Sequence, residues 1–76
     1  MKKYAETLAR EYDRETKEDY FDIIIESGVN GQWSQVKSQF NAMKKDSQQD
    51  FLINYLDEGY TIHRSVRNAC IKELCS

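Results

Sequence analysis

The sequence has no proline and only three glycines, Gly28, Gly31 and Gly59, so almost nothing in it interrupts a helical backbone except at those points. Histidine occurs once and cysteine twice, too few soft ligands for the three or four converging donors of a metal centre. No apolar run approaches the roughly 18 to 20 residues that span a membrane, and none near the N-terminus resembles a secretory signal. The expectation is a cytoplasmic chain with reduced thiols. Cys70 and Cys75 point about 140° apart on a helix and cannot bridge each other without unwinding it.

Length sets the next bound. A chain of 76 residues has room for one modest core, because it buries only about 60% of the surface its unfolded form exposes. Residues 1–76 are therefore expected to form a single helical domain. Small domains often gain stability from a disulfide, a metal or association, and of these only association suits this sequence.

Eleven Lys and Arg against 13 Asp and Glu give a net charge of −2, the opposite of the basic footprint of most nucleic-acid binders. The charge is unevenly spread. Arg10 to Asp19 holds eight charged residues in ten, whereas His63 to Lys72 carries Arg64, Arg67 and Lys72 with no acid among them.

Apolar spacing marks five helical segments. Met1 to Arg14 carries Tyr4, Leu8 and Tyr12 on one stripe, with Ala5 and Ala9 beside it. Thr16 is suited to cap a second helix from Lys17 to Gly28, whose stripe is Tyr20, Phe21, Ile24 and Ile25. Gly28 or Asn30 is expected to take the left-handed conformation that ends it. The run Ile23-Ile24-Ile25 has strand propensity, but it lacks both period-2 alternation and a hairpin partner. Asn30-Gly31 is read as a helix–helix connection, followed by Trp33, Val36, Phe40 and Met43 at helical spacing, with Lys44 and Lys45 at the negative end. Ser47 is expected to cap a fourth helix bearing Phe51, Leu52, Tyr55 and Leu56, which ends at Asp57-Glu58-Gly59. Thr61 is expected to cap a fifth with Ile62, Val66, Ala69, Cys70 and Leu74 on one face.

None of the familiar chemistries is assembled by these residues. His63 and Cys70 could share a helical face, but no third soft ligand stands near them, and the two lie roughly 10 Å apart along the axis, too far for a nucleophile and its base. Acid pairs such as Asp19 with Asp22, or Asp57 with Glu58, need a cleft that shifts one pKa, and a domain of this size offers little interior for one. The glycines form no phosphate-binding loop. The expectation is a protein without catalytic, cofactor-binding or metal-binding residues.

Three isoleucines fall off the core stripes. Ile23 projects about 160° from Phe21, and Ile53 and Ile71 stand clear of the stripes on their own helices. Together with Trp33 and Tyr60 they are read as a partner interface, covered either by another protein or by a second copy of the chain. A second candidate surface is the basic face of the last helix, where Arg64, Arg67 and Lys72 could contact phosphates and base edges. The acidic balance of the rest of the chain disfavours nucleic acid as the partner.

Tyr20-Phe21-Asp22-Ile23-Ile24-Ile25-Glu26-Ser27, Asn30-Gly31-Gln32, Gln35-Val36, Phe40-Asn41 and Asp50-Phe51-Leu52-Ile53-Asn54-Tyr55-Leu56 together resemble a pattern in short uncharacterised helical proteins of phages and mobile elements, over roughly residues 18 to 74. The group supplies no active-site residues. What the resemblance implies is a setting in which small acidic proteins bind a host protein and block or regulate it.

The sequence thus predicts an all-α fold, a small compact bundle of four to five short helices. Its expected role is that of a non-enzymatic protein-interaction module with no cofactor, acting through an apolar helical surface. The alternative is a small DNA-associated regulator using the basic face of the C-terminal helix.

Overall fold

The backbone of residues 2–75, described by a computed structural model, forms α1 (Ala5–Glu11), α2 (Lys17–Val29), α3 (Trp33–Asn41), α4 (Lys45–Asp50) and α5 (Thr61–Cys75). The last turn of α4 continues without a break as a π-helical turn over Phe51–Tyr55. This is the expected all-α bundle of short helices. α1 packs on α2, α2 on α3, and α5 returns to lie against both α2 and α3. No helix among the described residues is long and apolar enough to cross a membrane.

Phe21, Phe40, Phe51, Ile24, Met43, Val36, Val66 and Cys70 are fully enclosed and form the centre of the core. Each such aliphatic or phenyl side chain contributes about 1.5–3 kcal/mol by leaving water. Phe51 ties the layers together, its ring lying 5.1 Å from that of Phe21 and 6.3 Å from that of Phe40. Tyr20 is also enclosed, and its hydroxyl donates to the Gln39 carbonyl at 2.8 Å, joining α2 to α3. Burial first, then the charge of neighbouring Tyr12 and Glu11, pushes that hydroxyl's pKa well above its ordinary range.

Thr16 caps α2 as expected. Its hydroxyl accepts the Asp19 N–H at 3.2 Å, and the Asp19 carboxylate accepts the Thr16 N–H at 3.2 Å, a reciprocal box that satisfies two exposed donors. Those backbone donors, from Thr16 and then Glu15, hold the Asp19 carboxyl below the usual carboxylate range. At the far side of the bundle, Lys17 pairs with Asp50 at 2.6 Å and the Tyr55 hydroxyl donates to Asp22, so polar contacts as well as aromatic ones join α2 to the α4 rod.

α1 is shorter than its periodicity suggests, and Met1 lies outside the described residues. Its buried face is Ala5, Leu8 and Ala9, while Tyr4 and Tyr12 flank that face half-exposed. Tyr4 lies under the Lys44 ammonium, and Tyr12 packs on Tyr20. The chain before α1 is extended because Lys3 forms a parallel bridge with Met43: its N–H donates to the Ala42 carbonyl at 2.9 Å and its carbonyl accepts the Lys44 N–H at 2.7 Å. The same bridge explains why α3 ends at Asn41 and why Lys44 and Lys45 open α4 instead of closing α3.

Ser47 is likewise not the cap of its own helix. It sits buried in the first turn of α4, where its hydroxyl accepts the Ala5 N–H at the start of α1, at 3.0 Å. Its neighbour Gln48, also buried, donates from Nε2 to the Phe40 carbonyl at 3.1 Å and the Met43 carbonyl at 3.0 Å. Two adjacent polar residues thus close the beginning of one helix and the end of another. Thr61 occupies the first turn of α5, and it is the Tyr60 carbonyl that accepts the first helical N–H, from Arg64.

α1 and α2 end in the same way. Arg14 N–H bonds to the Ala9 carbonyl and Asp13 N–H to Arg10, and Gln32 N–H bonds to Ser27 and Gly31 N–H to Gly28. Both are Schellman closures with a left-handed residue outside the helix. That residue is Gly31 (φ 73°) after α2, not Gly28 or Asn30, and it is Asp13 (φ 59°) after α1. Aspartate tolerates this conformation less well than glycine. Asp13→Gly is therefore expected to raise stability by about 0.5 kcal/mol after allowing for the looser unfolded chain. Gly31→Ala, where nothing lies within 4 Å to crowd a methyl, is expected to lower it by about 1 kcal/mol through backbone strain alone. Urea titration of the two variants checks both signs.

Candidate functional site

α5 presents its outer surface beside α3, and the chemistry on this side differs from the rest of the molecule. Val66 and Cys70 point inward, with Ile62 and Ala69 half-buried beside them. On the outward side, Arg64, Arg67, Ile71 and Leu74 follow one another at three- and four-residue spacing and so share one stripe. Next to it runs a second stripe of Ser65, Asn68 and Lys72. Leu74 was expected on the core face, but it is 54% exposed, and in the last turn of α5 it is the half-buried Glu73 that meets α3, its carboxylate accepting from Asn41 Nδ2 at 2.8 Å.

The second stripe forms one wall of a shallow groove of about 350 Å³, and α3 forms the other with Trp33 and Lys37. Trp33 lies against α2 at Gly28: a Cβ there would lie in ordinary contact with the indole, 3.4 Å from Cζ3, but only 2.7 Å from Val66 Cγ2, so the missing side chain is what lets α5 approach the helix. The edge of the groove meets a second depression of about 230 Å³ at Asn68, lined also by Glu58, Arg64, Arg67 and Ile71. There Arg67 is paired with Glu58 at 2.8 Å. Among the described residues no ion pair engages Lys37, Arg64 or Lys72.

The residues expected at a partner interface are distributed as follows. Ile53 is 71% exposed on the π-helical turn, Tyr60 61% exposed ahead of α5, Ile71 40% exposed on α5, and Trp33 36% exposed at the groove. Ile23 differs from expectation. It is half-buried and packs against the core, because α2 lies between α1 and the α3–α5 pair and is covered over a broader arc than one stripe. Trp33 and Ile71 line the two depressions, whereas Ile53 belongs to the turn that packs on α2. The two candidate sets, apolar and basic, share one surface: Trp33 stands with Lys72, and Ile71 with Arg64 and Arg67. Sequence reading missed Lys37, which lies far from the α5 cations in the chain and joins them only across the groove.

His63 and Cys70 are not arranged as a nucleophile and base. The His63 Nδ1 accepts the Asp57 N–H at 3.0 Å, and its ring packs on Tyr60. Cys70 is enclosed in the core, and burial, with a smaller contribution from Glu73, pushes its thiol up to about 12, so it stays protonated at neutral pH. No group of three or more His, Cys, Asp or Glu among the described residues converges as metal ligands would. No family model matches this sequence, and neither a curated protein nor a solved structure matches it.

Proposed function

We propose that the chain is a non-enzymatic protein-interaction module whose working surface is the outer face of α5 with the α3 rim, and that it acts by covering a site on its partner. The observation that carries this reading is the pairing of exposed Ile71 and Leu74 with Arg64 and Arg67 on a single face, above a core that is already closed without them. Apolar anchors within a polar rim are the arrangement from which interfaces draw most of their affinity. The resemblance to phage and mobile-element proteins adds a setting to the proposal, in which the partner is a host protein that is blocked or regulated. A second copy of the chain is the same mode of binding with a different partner.

The test is capture from native lysate by immobilised wild-type chain, with Ile71→Asp and Ile53→Asp variants in parallel and light scattering on each. A partner lost on Ile71→Asp while the thermal melt is unchanged supports the proposal. If capture and oligomeric state are indifferent to both substitutions, it fails.

A DNA-associated role is favoured by one observation, the addition of Lys37 to the α5 cations. It predicts a mobility shift on duplex DNA that is lost with salt and with neutralisation of Arg64 and Lys72.

A further inference from the structure

We infer that the α3–α5 groove receives an acidic peptide segment of the partner protein, one that carries carboxylates together with an apolar side chain. This rests on the protein-binding role proposed above and names the chemistry of what is bound. Trp33 and Ala69 give it apolar surface, Lys37 on the α3 wall and Lys72 on the α5 wall give it positive charge, and Ser65 and Asn68 offer a hydroxyl and an amide. Not one of the lining residues is acidic, although the chain as a whole has more acids than cations. Among the described residues neither ammonium has an ion-pair partner, and two such cations beside a partly exposed indole complement a ligand that carries carboxylates and an apolar side chain.

Geometry limits the ligand further. Lys37 lies one helical turn beyond Trp33, and Ser65, Asn68 and Lys72 lie at three- and four-residue spacing on α5, so each wall of the groove presents one row of side chains. A peptide lying along the rows meets Lys37 on one side and Lys72 on the other while its apolar residue rests on the indole. Asn68 continues the track into the second depression, where Arg64 is a further cation and Ile71 a further apolar contact.

A few carboxylates match this supply of positive charge better than a nucleic-acid duplex does. Duplex DNA carries one charge per roughly 1.7 Å of its axis and calls for a broad basic footprint. Here Arg67 is already neutralised by Glu58, and Glu18, Asp22 and Glu26 form an exposed acidic row on α2, the helix on which both walls of the groove rest.

Trp33 is the sole tryptophan, so its emission reports on the groove directly. The probe is a synthetic amphipathic peptide of glutamate, leucine and alanine, compared with its lysine counterpart and with an oligothymidylate, in low and high salt. The acidic peptide is expected to shift Trp33 emission and the amide resonances of Lys37, Asn68 and Lys72. The lysine peptide should leave them unchanged, and Lys37→Glu with Lys72→Glu should weaken binding by about tenfold. Both lysines are exposed, and circular dichroism confirms that the variant folds. The inference is overturned if the acidic peptide produces no change at millimolar concentration, if the oligonucleotide binds more tightly at the same salt, or if the signals move with protein concentration alone, which marks a second copy in the groove. Should the peptide fail while partner capture still depends on Ile71, only the groove assignment falls. If capture is also indifferent to Ile71→Asp, the wider proposal falls with it.

Discussion

Gln48→Leu is expected to lower the unfolding free energy by about 2–3 kcal/mol, although it replaces one buried side chain by another of similar length. Gln48 is 3% exposed, and its amide donates to the carbonyls of Phe40 and Met43. Leucine fills the space but leaves those acceptors facing hydrocarbon, and a buried polar group without its partner costs about 1–3 kcal/mol. The Phe40 carbonyl keeps the Met43 N–H at 3.1 Å, which places the total below two full penalties. For a domain whose whole stability is about 4–11 kcal/mol, this is a large share.

Gln48→Glu sharpens the point. It keeps the shape, and once ionised it has no donor and aims a negative oxygen at two others. The folded state then prefers the protonated acid, so the folded pKa is raised above the unfolded value. Stability of this variant should be highest below the unfolded carboxylate pKa and should fall as pH rises through the folded one. Urea melts of the three proteins across that range are the measurement. A Gln48→Leu protein as stable as wild type would show that the two bonds contribute nothing net.

The second large effect concerns Gly28. Alanine there would place a Cβ 2.7 Å from Val66 Cγ2, closer than two carbons can sit, and Val66 is enclosed on all sides with nowhere to turn. Overpacking of this kind costs about 1–3 kcal/mol, against which a better helix former returns up to about 1 kcal/mol. The net expectation is a loss of about 1–2 kcal/mol. Because one named contact is responsible, the loss should vanish when Val66 is shortened: in a Val66→Ala background, Gly28→Ala is expected to be neutral or stabilising. A coupling of about 1 kcal/mol or more in the double-mutant cycle establishes the contact, and additivity within about 0.5 kcal/mol rejects it. A change in Trp33 emission should accompany the single variant, since the same methyl would come into contact with the indole, 3.4 Å from Cζ3.

What the sequence makes legible depends on the range of each signal. The spacing of Val36, Phe40 and Met43, or of Phe21 and Ile24, reveals a buried face because periodicity is a property of one segment. The Thr16 cap is legible for the same reason: both partners lie within four residues. Ser47 and Gln48 look like the start of their own helix, yet their bonds reach α1 and α3. The π-helical turn escapes because one extra residue per turn barely alters an apolar stripe, and Ile23 is misplaced because a single stripe does not describe a helix with neighbours on several sides. At the groove, Trp33, Ile71 and the α5 cations are each visible in the sequence as separate features. Their union with Lys37 is visible only once α3 and α5 are laid side by side.

The bridge between Lys3 and Met43 also bears on the order in which the fold comes apart. The Ala5 N–H and the Lys44 N–H both find their acceptors across this junction. When the segment before α1 lifts away, the beginnings of two helices separated by some forty positions lose a bond together. α1 and α4 therefore share a single latch, and local opening at one end of the chain is felt at its middle.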